Sequence, residues 1–124
     1  MVVVPEFLIK RVYQKGSLAK TQEGISLVLK NVLGPGVISG FNYVKINDTV
    51  FESKDVKFIT NNQETEATAI TNETPVSFRL GQSGTIILRG NNDCLVEGVN
   101  KIVIEIVNPE VGKACLNVED NYHA

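Results

Sequence analysis

Apolar and polar residues alternate along most of the chain with the period of two that is typical of β-strands. The clearest case is 102–107, where three isoleucines alternate with Val103, Glu105 and Val107. A turn-forming stretch follows at 108–112, and the alternation resumes over 114–118. The pattern predicts a closing β-hairpin whose isoleucine row faces the core.

Shorter segments with the same alternation are separated by residues that favour turns. The predicted strands before the hairpin cover 7–12, 25–31, 37–46, 49–52, 56–60, 76–80 and 85–89. Asn47-Asp48 is predicted to be a two-residue hairpin connection, because both residues tolerate the left-handed backbone region. Within 37–46, we expect Phe41 and Tyr43 to share one face of the strand.

Helical periodicity is weak throughout, since the best window, 16–24, is short and bounded by glycines. Eight or nine short strands predict an all-β fold, an antiparallel β-sandwich of the immunoglobulin-like or a related Greek-key type. A length of 124 residues fits one domain, 1–124.

The polar stretch 61–74 contains one large apolar residue, Ile70, and is predicted to be a polar loop or an exposed edge ribbon.

Composition narrows the possible partners. A formal net charge of −2, with no run of five like charges, gives no reason to expect nucleic-acid binding. Without a membrane-length apolar window or a signal-peptide pattern at the N-terminus, we expect a cytoplasmic protein with no membrane partner. Cys94 and Cys115 are expected to be reduced thiols, with one disulfide between the last strands as the alternative.

Metal and nucleophile sites are poorly supported. The chain has one histidine, His123, close to Glu119 and Asp120 but expected on a loose chain end. Zinc sites need three or four clustered ligands, so we predict no metal and no cofactor. Cys94 follows Asp93, whose charge raises a thiol pKa, and we therefore predict no catalytic residue of this type.

A ligand-binding module is one alternative function. Glu64 and Glu66 are two residues apart, so on a strand they share a face. A solvated face is the simpler interpretation of this pair. If the domain binds a carbohydrate or another small ligand, the candidate surface is 61–74 together with Tyr43 and Arg79.

An enzyme with an unrecognised carboxylate site is a further alternative. Its candidate residues are Glu52, Asp55 and Glu64, since carboxylates in a cleft can act as acid and base.

The interaction surface is the positive functional signal in the residues. Val103 and Val107 lie opposite the isoleucine row, so they need a cover from the other sheet's edge or from another subunit. Burial of both faces of the strand within one chain is the alternative. Val2, Val3 and Val4 form a second apolar segment that is predicted to be exposed at an interface.

The segment 37–58, VISGFNYVKINDTVFESKDVKF, resembles the small β subunit of bacterial C-glycoside deglycosidases. The run GVNKIVIEI at 98–106 is similar to the closing strand of that family, although the turn at 47–48 lacks glycine and 112–120 has no counterpart. In that family a separate barrel-shaped α subunit carries the chemistry and the metal. The resemblance implies a non-catalytic partner that packs against such an enzyme subunit. Together with the interface valines, it favours an accessory or structural subunit in a homo-oligomer or a hetero-oligomer with an enzyme subunit.

Overall fold

The computed structural model describes residues 6–34, 36–90 and 92–123. Its strands are β1 (Ala19–Lys20), β2 (Ile25–Lys30), β3 (Val37–Ile38), β4 (Gly40–Ile46), β5 (Thr49–Glu52), β6 (Val56–Thr60), β7 (Gln63–Glu66), β8 (Val76–Ser77), β9 (Ser83–Leu88), β10 (Gly98–Asn108) and β11 (Gly112–Tyr122). The helical elements are α1 (Glu6–Ile9) and 3-10 turns at Lys10–Val12, Ser53–Asp55, Ala67–Ala69 and Asn92–Cys94.

Two antiparallel sheets make up most of the domain. One has the strand order β1-β2-β9-β6-β7 and the other β11-β10-β4-β5, with β3 and β8 paired separately. The Phe58 ring of the first sheet lies 5.1 Å from the Phe41 ring of the second, within one buried apolar cluster. The predicted all-β sandwich is confirmed. Among the described residues, eight strands have four or more residues, and three have only two.

The predicted hairpin is present and is longer than expected. β10 and β11 pair from Gly98 opposite Tyr122 to Asn108 opposite Gly112, with Ile102 fully buried on the core side. The strand pairing therefore includes Glu119 and Asp120. β10 supplies backbone hydrogen-bond partners along the whole of β11, so these two carboxylates belong to a paired strand that ends one residue before His123.

The first described residues of the chain form helical turns and not a strand. Residues 7–12, predicted as a strand, lie in α1 and the 3-10 turn that follows it. A short apolar run has no reliable periodicity, and here Val12 is buried while Phe7 is 70% exposed. The helical elements of the described chain are too short to cross a membrane.

A bulge in β4 changes the predicted faces of that strand. Tyr43 pairs with Glu105, but Phe41 pairs with the next residue of β10, Ile106, so Asn42 is the additional residue. The bulge turns Phe41 into the core while Tyr43 stays half-buried on the outward face. The expectation that Phe41 and Tyr43 share a face was therefore wrong.

The tight turn at Asn47-Asp48 is confirmed. Asn47 has φ 54, and Ile46 pairs with Thr49 across the turn. The Asn47 amide donates to Oδ1 of Asn100, which is fully buried, at 2.9 Å. The turn is thus tied to the start of β10 as well as to its own strands.

Gly84 is the position where the core leaves no room for a side chain. A Cβ atom built there would overlap the fully buried Phe58 ring. We expect Gly84→Ala to lower the free energy of unfolding by about 1–3 kcal/mol, because overpacking forces the ring or the backbone to move. Urea unfolding measures the effect.

Gly36→Ala is the matched control, since its Cβ would meet Arg79 at an ordinary 3.8 Å. It should leave stability unchanged or slightly raised. Equal unfolding midpoints for the Gly84→Ala variant and the wild type would contradict the close packing of Phe58 on Gly84.

Candidate functional site

Tyr13 joins the two sheets of the sandwich. Its backbone forms an antiparallel bridge with Leu29 of β2. Its hydroxyl donates to Oδ2 of Asp120 on β11, with 2.6 Å between the oxygens. The two side chains are buried, and 107 residues separate them along the chain. We call residues 6–16, which include α1 and the 3-10 turn that follows it, the N-terminal segment. The contact between Tyr13 and Asp120 holds this segment against the edge strand β11.

Among the described residues, the Asp120 carboxylate accepts hydrogen bonds from three donors. Besides the Tyr13 hydroxyl, it accepts the backbone N–H of Gly16 at 2.9 Å and its own neighbour Asn121 N–H at 2.9 Å. Burial raises the pKa of Tyr13 far above its usual range, and the hydrogen bond to Asp120 adds to the increase. Tyr13 therefore keeps its proton, and remains a donor, even above the usual tyrosine pKa of 10.0.

A groove of about 750 Å³ lies between the N-terminal segment and the hairpin. Its lining consists of Lys10, Arg11, Tyr13, Lys15, Lys101, Asn117, Val118 and Glu119. The lining thus carries four cations and one carboxylate. All five charged side chains are exposed to solvent. This excess of positive charge fits the binding of an anion.

Local structure explains how these cations come together. Lys10 and Arg11 belong to the 3-10 turn, and Lys15 precedes Gly16, which has φ 89. Lys101 reaches the groove from β10, where it pairs in register with Glu119 of β11. The Tyr13–Asp120 hydrogen bond places these two groups of residues side by side.

Sequence analysis did not identify this groove. Lys10, Arg11 and Lys15 are close in the sequence, and a cluster of three cations in six residues was the available signal. Lys101 joins them only through the tertiary fold.

The residues predicted as a ligand surface lie in separate places. Glu64 on β7 pairs with Nζ of the buried Lys57 at 2.6 Å, and Lys57 also pairs with Glu23. Glu66 forms a two-point ion pair with Arg89. The Arg89 guanidinium lowers the pKa of Glu66. Both predicted carboxylates therefore form ion pairs with cations that lie in the five-stranded sheet or next to it. Of the stretch 61–74, which was predicted to be a polar loop or an exposed edge ribbon, Gln63–Glu66 form the edge strand β7, whereas Ala67 and Ile70 are buried.

The other two predicted ligand residues lie on other elements of the fold. Tyr43 faces outward from the four-stranded sheet, between Glu52 and Glu105. Arg79 follows β8, and its backbone N–H donates to Gln82. The four residues do not form one continuous surface on a single sheet.

The remaining polar candidates are also dispersed. Glu52 is 71% exposed in the four-stranded sheet, whereas Glu64 lies in the five-stranded sheet. Asp55 is half-buried in a 3-10 turn. His123 contacts Glu97 at 2.9 Å. Within the described ranges, no group of three or more histidine, cysteine or acidic residues is placed to hold a metal ion.

The cysteines form no disulfide in the described structure. Cys94 is half-buried in a 3-10 turn, and burial is the main reason that its pKa is raised, with the charge of Asp93 a smaller cause. Cys115 is exposed on β11, opposite Glu105.

The predicted interface valines lie on the outward face of the four-stranded sheet. Val103 and Val107 are half-buried there, and Val103 pairs with Lys45 on β4. Val50 and Val99 add to this face and are 54% and 56% exposed. We call the face formed by these four valines the valine face. Val2, Val3 and Val4 lie outside the described residues.

Removal of the Tyr13 hydroxyl tests the anchor. We expect Tyr13→Phe to lower the free energy of unfolding by about 1–3 kcal/mol, because a buried carboxylate loses its side-chain donor. Tyr122→Phe is the control, since among the described residues the Tyr122 hydroxyl has no hydrogen bond, and its ring contact with Lys20 is retained. Chemical unfolding of the variants at neutral pH gives the comparison, and equal losses would contradict the anchor.

The raised pKa of Tyr13 predicts a pH dependence. The folded state keeps the proton above the usual pKa of 10.0, whereas the unfolded state releases it. The stability that Tyr13 contributes is therefore complete below pH 10 and declines as the pH rises. Between about pH 8 and about pH 11, wild-type protein should lose about 1 kcal/mol more than Tyr13→Phe. A constant difference between the two unfolding curves would be the opposite result.

Comparison with known proteins gives one family. The family model described as Hydroxymethylglutaryl-CoA reductase, N-terminal domain, matches residues 8–123. No curated protein matches the sequence. Neither finding tests the resemblance to C-glycoside deglycosidase β subunits, which stays a prediction. The match begins in α1 and extends past β11, so it includes the Tyr13–Asp120 anchor and the four cations of the groove. The chain therefore belongs to the family of hydroxymethylglutaryl-CoA reductase N-terminal domains.

Proposed function

We propose that the chain is a non-catalytic accessory domain that packs through its valine face against a hydroxymethylglutaryl-CoA reductase catalytic domain. The family supports this role, since its name describes the N-terminal domain of a reductase. The observation that carries the proposal is the outward face of the four-stranded sheet. A second copy of the chain is the alternative partner for the same face.

The valine face has the composition of a separable interface. Val50 and Val99 leave more than half of their surface in contact with solvent. Aliphatic side chains exposed on the face of a sheet are readily buried by a partner. Lys45 and Lys101 lie on the same outward side, in register with Val103 and Glu119. Such a mixture of aliphatic and charged residues is typical of interfaces between domains that also exist apart.

The ionic pairs support a structural role for the charged residues. Lys57 is held between Glu23 and Glu64, and Glu66 is held by Arg89. These groups have their charges matched by a neighbour, which favours scaffold contacts over acid–base chemistry. The carboxylate-enzyme alternative therefore has less support. The carbohydrate module keeps part of its candidate surface, since Asn61, Gln63 and Thr71 line one groove of about 640 Å³. The lining of that groove does not include Tyr43 or Arg79.

We also propose a cytoplasmic location, supported by the two cysteines that form no disulfide with each other. The immunoglobulin-like type of the sandwich and assembly into an oligomer stay predictions that accompany this proposal.

Charge substitutions on the valine face test the role. The chain is mixed with a hydroxymethylglutaryl-CoA reductase catalytic domain from the same source, and binding is measured by titration calorimetry and light scattering. We expect Val50→Glu combined with Val103→Glu to weaken association by about tenfold or more, because an interface would bury unpaired carboxylates.

Val32→Glu combined with Leu80→Glu is the control. These residues are 41% and 66% exposed and lie outside the four-stranded sheet. Equal weakening by both double variants would contradict the assignment of the interface. A chain that binds neither the catalytic domain nor itself would overturn the accessory role, as would reduction of hydroxymethylglutaryl-CoA by the chain alone.

A further inference from the structure

We propose that the groove between the N-terminal segment and the β10–β11 hairpin binds a phosphorylated small molecule that carries two or more negative charges. This inference goes beyond the accessory role and does not rest on it. Lys101 lies on the outward side of the four-stranded sheet and also lines the groove, but the groove presents mainly cations, whereas the valine face presents aliphatic side chains.

The concentration of positive charge in the groove is high for this protein. The whole chain has a net charge of −2 and 12 lysines and arginines, and the groove holds four of them. Exposed cations on an acidic protein are expected to be spread out, because like charges repel one another. Their convergence on one concave site produces a local field that attracts anions.

These four cations are not used by the fold. Lys57 and Arg89, which lie in the five-stranded sheet or next to it, are each paired with carboxylates. Within the described residues, Lys10, Arg11 and Lys101 have no ion pair, and neither has Lys15. Their ammonium and guanidinium donors are thus available to a ligand.

The donor set matches phosphate chemistry. Arg11 offers a planar fork that can donate two hydrogen bonds to one phosphate, and the lysines act as mobile point charges. Asn117 adds an amide donor to the lining. A volume of about 750 Å³ is within the usual size of small-molecule sites. The groove can therefore hold a ligand larger than a single phosphate.

Cations lie on both sides of the groove, and the fold fixes the distance between the sides. Lys10, Arg11 and Lys15 belong to the N-terminal segment, and Lys101 belongs to β10. The Tyr13–Asp120 hydrogen bond holds these two sides together before any ligand arrives. Such preorganisation reduces the entropic cost of binding a ligand that spans both sides.

Glu119 determines the kind of anion that fits. Its carboxylate lies in the lining, opposite Lys101, and repels any anion that enters. A ligand with a single negative charge gains little against this repulsion. A ligand with a pyrophosphate or several phosphates contacts several cations at once, so it is favoured over a simple carboxylate.

Titration calorimetry of the full chain with inorganic pyrophosphate tests the proposal. Lys10→Gln combined with Arg11→Gln removes two groove cations. Lys30→Gln combined with Lys113→Gln is the control with the same change of net charge, since both lysines are exposed and lie outside the groove. The groove variant should bind pyrophosphate about fivefold more weakly or worse, and the control should bind as the wild type does.

Glu119→Gln gives a test of opposite sign. Removal of the groove carboxylate should tighten pyrophosphate binding by about twofold or more, whereas Glu110→Gln, at the exposed hairpin tip, should leave it unchanged. The gain cannot come from lost folding, since an unfolded variant would bind less.

Parallel titrations with coenzyme A and dephospho-coenzyme A show whether the groove recognises a whole nucleotide or its phosphates alone. Tighter binding of coenzyme A than of pyrophosphate would support a nucleotide ligand, and equal binding would support recognition of the phosphates alone. Absence of binding at millimolar concentrations of all three would overturn the proposal. Equal effects of the groove and control variants would also overturn it. The catalytic domain is not needed, so the result is independent of the accessory role.

Discussion

The hydrogen bond between Tyr13 and Asp120 holds together parts of the chain that no local interaction could join. The Tyr13 backbone pairs with the five-stranded sheet, while its hydroxyl reaches the edge strand of the four-stranded sheet. A buried carboxylate is costly unless donors surround it, and three donors of the described chain reach Asp120. The position of the N-terminal segment depends on this contact. So does the groove, since one of its sides belongs to that segment.

The charged residues of the domain divide into two groups with different consequences. Lys57 and Arg89 are matched by carboxylates, so they contribute to the cohesion of the five-stranded sheet. The cations of the groove face solvent. The first group explains how polar residues can lie on a sheet that is largely buried. The second group leaves donors free for a ligand, and this difference separates scaffold from candidate site.

The β10–β11 hairpin connects the two proposed surfaces. Its outward side contributes Val99, Val103 and Val107 to the valine face, and Lys101 and Glu119 lie in the groove. A partner on the valine face would therefore come close to a ligand in the groove. The accessory role and the anion site are compatible within one small domain.

The sequence by itself determined the elements that depend on local periodicity. Alternation predicted the sandwich and the hairpin, and Asn47-Asp48 predicted a turn, because strand faces and turn conformations follow from neighbouring residues. Tertiary structure decided the rest. The helical start at 7–12, the bulge at Asn42 and the burial of Asp120 depend on distant partners. The groove likewise needs Lys101 beside Lys10, and only the folding of the chain's two ends onto each other brings these cations together.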